Sequence, residues 1–179
     1  MAETSVSKFV PDAVESAAYR VLSQLITIPL AYANQNNSRL PLPYATLRVS
    51  TRLTVGRDEH GEVDDGGIMP SHGVREGTVM VNVYGGSARE YCDNLVNNIR
   101  KTTSRYLMRK ERLVISNSAQ VNDLTGLRDE ANFEAMANVD LTFRYTGKYL
   151  DDVGLIETVD ANGDIGGIET HITLAVTSD

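Results

Sequence analysis

The chain has 179 residues, of which 41% are hydrophobic and 23% charged, and its formal net charge is −7 at pH 7. This composition supports a buried core, so we expect a single soluble domain over 1–179. The negative charge argues against a protein that neutralises a phosphate backbone, although it suits a channel through which DNA slides without sticking. The single cysteine excludes a disulfide framework, and we expect neither a signal peptide nor a membrane-spanning segment.

The first predicted element is a helix that begins at Asp12, with Glu15 three residues later completing a capping-box pattern. Apolar residues then recur at helical spacing until Pro29 ends the run: Val14, Ala17, Val21, Leu25 and Ile28. A polar loop, 34–38, and the extended segment around Pro41 and Pro43 lead into the first strand.

That strand is predicted from the alternation of apolar and polar residues between Ala45 and Val55. The chain then turns acidic and glycine-rich from Gly56 to Glu76. We interpret this segment as a structureless connection, a mobile hairpin tip that orders on a partner. A second strand returns with Val79, Val81 and Val83 on one face.

Gly85 and Gly86 predict a turn, and Ser87 with Glu90 predicts the N-terminus of a second helix. A buried stripe is expected along that helix at Cys92, Leu95, Val96, Ile99 and Tyr106. Basic residues gather toward its end: Arg105, Arg109, Lys110 and Arg112. Since cations are favoured at a helix C-terminus, this cluster needs no ligand to explain it.

A short strand or a bent pair is expected over 113–116 and 119–121, followed by a turn at 123–126. The strongest strand signal in the chain is the alternation from Phe133 to Tyr145, which at about 3.3 Å per residue spans about 43 Å. Such a strand suggests a sheet that curls or projects to meet a neighbour. A closing pair, 154–159 and 168–176, is predicted around a turn at 160–164.

The order of these elements predicts an α+β fold. We expect a mainly antiparallel β-sheet with two α-helices packed on one face, a long β-hairpin extension and a C-terminal hairpin at 154–176.

Three patterns invite a ligand, and each has a simpler explanation. The strand–Gly85-Gly86–helix junction lacks the lysine and the fuller glycine pattern of a phosphate loop. His60 and His72 lie twelve residues apart in the glycine-rich loop, which gives no preformed metal geometry. The segment 160–164 begins like a calcium loop but lacks the glycine and the glutamate that such a loop requires.

Nucleophilic catalysis also lacks a signature. Cys92 lies on the apolar stripe of a helix, where a cysteine is normally an inert core residue, and no serine stands in a Gly-x-Ser-x-Gly elbow. We therefore expect no catalytic residues, no cofactor and no metal site, and we do not expect an enzyme.

Several segments together resemble the tail terminator, or neck terminator, proteins of long-tailed bacteriophages. The segments that carry the likeness are Pro41–Thr46 before the first strand, Val79–Ala88 leading into the second helix, Val121–Thr125, and the long strand that ends Phe143-Arg144-Tyr145. The likeness covers roughly residues 10 to 150.

The resemblance implies a structural virion protein located in the tail or neck and made in the host cytoplasm. It implies a ring, typically of six subunits, at the head-proximal end of the tail tube. The ring ends tube polymerisation and joins the tail to the head connector. The implied partners are further copies of the chain, the tail tube protein and the head connector or adaptor, with the tail sheath as a further candidate and DNA passing through the lumen.

Strand pairing across a subunit boundary needs extended, exposed backbone, which the long strand and the Gly56–Glu76 hairpin supply. We therefore predict subunit or partner contacts at ten residues of these two segments: Arg57, Asp58, Glu59, Asp64, Asp65, Met69, Glu134, Met136, Asp140 and Arg144.

Two other functions stay open at this point. The chain resembles other head–tail adaptor, tail tube or minor tail proteins in its design, and tube proteins would polymerise into long tubes. A small ligand-binding domain or enzyme is the other alternative, suggested by the strand–Gly-Gly–helix turn.

Overall fold

The structure, a computed structural model, describes residues 10–33, 35, 39–116, 119–129, 132–155, 158–165 and 168–175. The predicted polar loop at 34–38 lies almost wholly outside the described residues. Two compact units are present. The first comprises 1–56 and 74–146, and the second comprises 57–73 and 147–179. The expectation of one domain over the whole chain stays a prediction.

Helix α1 (Ala13–Leu25) begins where the capping pattern places it. The Glu15 backbone N–H donates to the Asp12 carboxylate, and the Asp12 backbone N–H donates to the Glu15 carboxylate. The helix ends at Leu25, three residues before Ile28, because Ile26 already has an extended backbone. The predicted start is therefore confirmed, and the predicted inclusion of Ile28 is wrong.

The main sheet joins six strands: β1 (Leu30–Tyr32), β2 (Tyr44–His60), β3 (Ile68–Tyr84), β4 (Leu113–Ile115), β5 (Val121–Asp123) and β8 (Met136–Asp152). Their order is β1-β2-β3-β8-β4, with β5 also paired to β8. Strand β1 runs parallel to β2, while β4 and β5 run antiparallel to β8. The predicted α+β class with a mainly antiparallel sheet is confirmed.

The segment from Gly56 to Glu76 is not a structureless connection. Strand β2 continues to His60 and β3 starts at Ile68, so only 61–67 lies outside the strands. The hairpin closes through a compact turn, in which the Asp64 N–H donates to the Ile68 carbonyl and the Gly67 N–H donates to the Asp64 carbonyl. Of the acidic residues that indicated a loop, Asp58 and Glu59 are therefore strand residues, while Glu62, Asp64 and Asp65 lie in the turn.

The predicted second helix is two helices, α2 (Ala88–Ile99) and α3 (Thr102–Lys110). Lys101 has an extended backbone and separates them, so the buried stripe does not run through. In α3 the buried residues are Ser104 and Met108, whereas Tyr106 is 76% exposed. The predicted burial of Tyr106 is wrong, and so is the capping role of Ser87, whose side chain makes no cap hydrogen bond.

The long alternating strand is interrupted near its start. Phe133 belongs to β7 (Asn132–Glu134), which pairs with β6 (Gly126–Asp129) in a separate two-stranded sheet, and its ring is 73% exposed. The carbonyl of Ala135 accepts a hydrogen bond from the Gly85 N–H at the interruption. Beyond it, β8 follows the predicted alternation, with four fully buried side chains: Ala137, Val139, Leu141 and Phe143.

The core of the first unit lies between the three helices and one face of the sheet. Leu22 of α1 and Leu95 of α2 belong to the same buried cluster as Leu47, Val81 and Phe143 of the sheet. The alternate positions of the same strands are half-buried or exposed, as at Arg48, Asn82 and Asp140. Helices therefore cover one face of the sheet, and the described part of the chain contains three of them rather than the expected two.

Strands β9 (Thr158–Ile165) and β10 (Ile168–Ala175) form an antiparallel pair in the second unit. The predicted turn at 160–164 is wrong, because these residues lie within β9 and Asn162 is paired with His171. The connection between the two strands, 166–167, lies outside the described residues. The predicted closing pair is confirmed, with its first strand starting later than expected.

Candidate interaction surfaces

Six of the ten predicted contact residues lie in the second unit, in or beside its hairpin turn: Arg57, Asp58, Glu59, Asp64, Asp65 and Met69. The Asp64 carboxylate accepts hydrogen bonds from the backbone N–H groups of Gly66 (3.0 Å) and Ile68 (2.9 Å). A single carboxylate oxygen of Asp64 therefore stabilises the turn. Asp65 beside it is exposed.

The turn is also tied to the end of β8. The N–H groups of Val153 and Gly154 both donate to the Gly67 carbonyl, at 3.1 and 3.2 Å. Gly67 has φ +77°, a conformation that favours glycine. A Cβ on Gly67 would also lie 2.8 Å from the Gly154 backbone. Both the backbone conformation and the close approach therefore require glycine at this position.

The two histidines of the hairpin have different surroundings. His60 Nδ1 lies 2.8 Å from the Ser71 hydroxyl, and Ser71 is buried. His72 Nε2 lies 3.2 Å from a carboxylate oxygen of Glu59, with both side chains largely exposed. Each histidine therefore links β2 to β3 across the hairpin. In the described residues, no group of three His, Cys, Asp or Glu side chains is placed to hold a metal ion.

The other four predicted contact residues lie in the first unit: Glu134, Met136, Asp140 and Arg144. Glu134 forms an ion pair with Arg39. Arg144 Nε lies 2.7 Å from a Glu76 carboxylate oxygen, so this pair ties β8 to β3. Asp140 is exposed and Met136 is half-buried.

The structure thus divides the ten residues into two sets, one at the hairpin of the second unit and one along β7 and β8 of the first. Whether they contact a subunit or a partner stays a prediction.

The Gly85-Gly86 junction borders a shallow recess of about 390 Å³ at the start of α2. Its charged lining consists of Arg89 and three carboxylates: Glu90, Asp93 and Asp123. Thr125 donates its hydroxyl and its N–H to the Asp123 carboxylate, and these two bonds lower the pKa of Asp123. Because the lining is mainly anionic, the recess does not favour a phosphate group.

Cys92 lies in the core, as its position on the apolar stripe predicts. Burial, with a smaller contribution from the negative charge of Asp93, raises the pKa of the thiol to about 12. The thiolate is the nucleophilic form, so this thiol is unreactive at neutral pH.

Sequence reasoning misses one exposed surface on α3. Arg105, Arg109 and Lys110 are exposed around Tyr106, and we call these four residues the basic helix face. Sequence patterns attribute the basic cluster to the helix dipole, and they predict that Tyr106 is buried in the core. A usable signal is nevertheless present, because six of the seven charged residues between 100 and 112 are basic in a chain of net negative charge.

The family model of phage neck terminator proteins matches residues 12–169 of this chain. The chain belongs to this family. Membership places the protein in the virion, in a structural role in the neck or tail, in association with other proteins of the tail and head. No match was found among curated proteins. The family match extends past residue 150, where the resemblance noted from sequence ends, and reaches residue 169 in the C-terminal pair.

None of the described helices is both long enough and apolar enough to cross a membrane.

Proposed function

We propose that the chain assembles into a closed ring of six copies at the head-proximal end of the phage tail. The ring ends polymerisation of the tail tube and joins the tail to the head connector, without catalysing a reaction. Its direct partners are the tail tube protein and the connector or adaptor protein, with the tail sheath as a further neighbour in a contractile tail. The protein is made in the host cytoplasm and then enters the virion.

The observation that carries this proposal is the family match over 12–169, since a neck terminator acts where tail and head meet. The exposed apolar side chains of the strands support self-association. Leu53 of β2, Tyr149 and Leu150 of β8, and Val153 and Leu155 just after β8 are all exposed, with Leu150 at 74%. Where exposed apolar side chains form one patch, that patch is typically covered by protein in an assembly.

Ring closure follows from the symmetry of repeated contacts. A closed ring larger than a dimer needs two different patches on each copy, one that meets the preceding subunit and one that meets the next. The two sets of predicted contact residues, at the hairpin of the second unit and along β7–β8, are candidates for contacts with a subunit, the tube or the connector. The net charge of −7 is compatible with a lumen through which DNA passes without binding.

The first test is the mass of the purified protein under native conditions. A hexamer has a mass of about 118 kDa, six times the 19.6 kDa of the chain. A single ring of this mass supports the proposal. Long tubes formed by the purified protein alone would instead identify a tube protein, and a monomer that stays monomeric with tube protein present would refute ring formation.

The second test removes the hairpin. Replacing Asp58–Gly73 by a two-residue turn leaves the first unit and its core intact, so a cooperative melting transition is expected to remain. The shortened protein should fail to stop tube growth when it is mixed with polymerising tube protein. Normal capping by the folded deletion variant would show that the hairpin has no part in termination.

A further inference from the structure

The basic helix face has the composition of a binding surface. Tyr106 is 76% exposed, and the exposed residues Arg105, Arg109 and Lys110 surround it on the helix. Arg105 and Arg109 are one turn apart, a spacing at which like charges destabilise a helix. An exposed aromatic ring with a charged rim is typical of the anchor of a protein–protein contact.

The helix dipole explains part of this cluster. Arg109 and Lys110 lie in the last turn of α3, and Arg100 is the C-cap of α2, where positive charge is favourable. Arg105 lies in the middle of α3, where the dipole contributes little, and Lys101 is the N-cap of α3, where its charge is unfavourable. No acidic residue in the first turn of α3 compensates Lys101.

The same chain carries a segment of opposite charge and similar pattern. We call residues 59–65 the acidic tip, which contains Glu59, Glu62, Asp64 and Asp65. Its one apolar side chain, Val63, is 43% exposed and stands between Glu62 and Asp64. The acidic tip therefore presents an apolar centre with a negative rim, and the basic helix face presents an aromatic centre with a positive rim.

We propose that the acidic tip of one copy binds the basic helix face of the next copy in the ring. Val63 packs against Tyr106, while Glu62 and Asp65 pair with Arg105 and Arg109. The two patches are different surfaces, so the contact is head-to-tail and repeats from copy to copy until the ring closes. This inference rests on the proposed ring, and it names the surfaces that join its subunits.

A second copy is favoured over nucleic acid as the occupant. The acidic tip of the same chain carries the charge that complements the basic helix face. Its exposed Val63 can also cover the ring of Tyr106, which a phosphate backbone would leave uncovered. A chain of net charge −7 also repels a polyanion away from the basic helix face. Ion pairs that form the rim of an interface steer association and choose the partner more than they add affinity.

The test uses two charge-reversed variants of the full chain. Variant A carries Arg105→Glu and Arg109→Glu, and variant B carries Glu62→Lys and Asp65→Lys. Asp64 is left unchanged in variant B, because its carboxylate holds the turn. In each variant alone, like charges face each other at every contact, so the dissociation constant between copies should rise by about 100-fold or more.

A mixture of the two variants is the decisive sample. Every A-to-B contact and every B-to-A contact again pairs opposite charges, so alternating rings with equal numbers of A and B should form. Native mass spectrometry of isotope-labelled variant A with unlabelled variant B identifies such rings. A contact made within one chain would give no rescue on mixing, and that result would overturn the proposal.

The outcomes separate this inference from the proposed function. If the unmodified protein forms rings and variants A and B form them equally well, the ring stands and the contact is wrong. If the unmodified protein forms no ring, alone or on tube protein, the proposed function itself fails. If variant A forms normal rings but binds DNA less tightly than the unmodified protein, the basic helix face is a nucleic-acid surface and the proposal is overturned.

Two controls guard against indirect effects. Arg48→Glu with Arg89→Glu changes the net charge as much as variant A does, at exposed residues outside α3, and should leave rings intact. Equal loss in this control would assign the effect to overall charge and refute the contact. Arg105→Gln with Arg109→Gln removes the charges without reversing them and should weaken the ring less than variant A, with an unchanged melting temperature. Tyr106→Ala should also weaken it, since it removes the anchor.

Discussion

The substitution Gly77→Ala should destabilise the first unit, although it adds a single methyl group. Gly77 is buried in β3, and a Cβ there would lie 2.6 Å from Cζ of Phe143 and 2.8 Å from the Thr51 carbonyl oxygen. Carbon atoms in optimal contact are about 3.5–4.0 Å apart, so the ring would have to move by about 1 Å. Phe143 is fully buried and the Thr51 oxygen belongs to the backbone, so neither atom moves easily.

The expected loss follows from this crowding. Extra methyl groups in a well-packed core typically cost about 1–3 kcal/mol. For a chain of this size each kcal/mol lowers the melting temperature by about 2–4 °C, so the fall should lie between about 2 and 12 °C. Urea unfolding followed by circular dichroism measures the free energy, with an unchanged slope showing that the unfolded state is not affected.

A double-mutant cycle identifies the cause. Phe143→Leu removes the ring atoms Cζ and Cε1 that the new methyl group would meet, so the double variant should be less destabilised than the sum of the two single variants. Gly56→Ala is the matched control, because Gly56 has φ +76° and no atom lies within 4 Å of the position that the added methyl group would take. Its cost comes from the backbone alone and should not change with Phe143→Leu. Additive effects of Gly77→Ala and Phe143→Leu, within about 0.5 kcal/mol, would refute the reasoning.

Three further outcomes are expected. Gly67→Ala should increase hydrogen exchange at the hairpin turn more than Gly154→Ala does, because both residues have positive φ but only Gly67 would meet backbone atoms; equal exchange would contradict this. Asp12→Ala should cost about 1 kcal/mol of stability through loss of the helix cap, measured by urea unfolding. Burial alone would raise the pKa of Asp12, but hydrogen bonds from Arg52 and the Glu15 backbone outweigh burial and lower the pKa below its usual 3.8. The contribution of Asp12 should therefore be complete above about pH 4 and should fade as the pH falls through the lowered pKa, whereas a pH-independent effect of Asp12→Ala would refute this. Cys92 should react with a thiol reagent at pH 8 only at the rate of unfolding, and immediate labelling of the native protein would show that the thiol is accessible.

Local patterns predict those elements whose signals are themselves local. The start of α1 is readable because the capping box needs only Asp12 and Glu15, which are three residues apart. The buried face of β8 is readable because alternation reports one covered face directly.

The division between α2 and α3 has no comparable local signal, because the residues around Lys101 permit a helix. Two hydrogen bonds hold the end of α2, one of them to a distant residue. The Asn98 side chain donates to the Leu25 carbonyl (2.7 Å), and the Ser104 hydroxyl donates to the Asn98 carbonyl (2.6 Å). Since the partner in the first contact is 73 residues away, periodicity along the helix could not show it. The exposure of Tyr106, and with it the basic helix face, escapes sequence patterns for the same reason.

The hairpin shows a different limit of sequence patterns. Glycine and acidic residues favour turns, and they predict a loop over the whole segment from Gly56 to Glu76. A single carboxylate, that of Asp64, organises the turn and allows the flanking residues to pair as strands. Composition therefore locates the turn but overestimates its length.

Strands β2 and β8 both continue well beyond their last buried residue, and this feature connects the fold with assembly. In β2 the last fully buried residue is Leu47, although the strand continues to His60. In β8 the last is Phe143, although that strand continues to Asp152. Strands without a covered apolar face are marginally stable by themselves, so a chain that keeps them extended gains stability when another protein covers them. The proposed ring would provide that cover, and the acidic tip, which lies at the exposed end of β2, is the segment that we propose to contact the next copy.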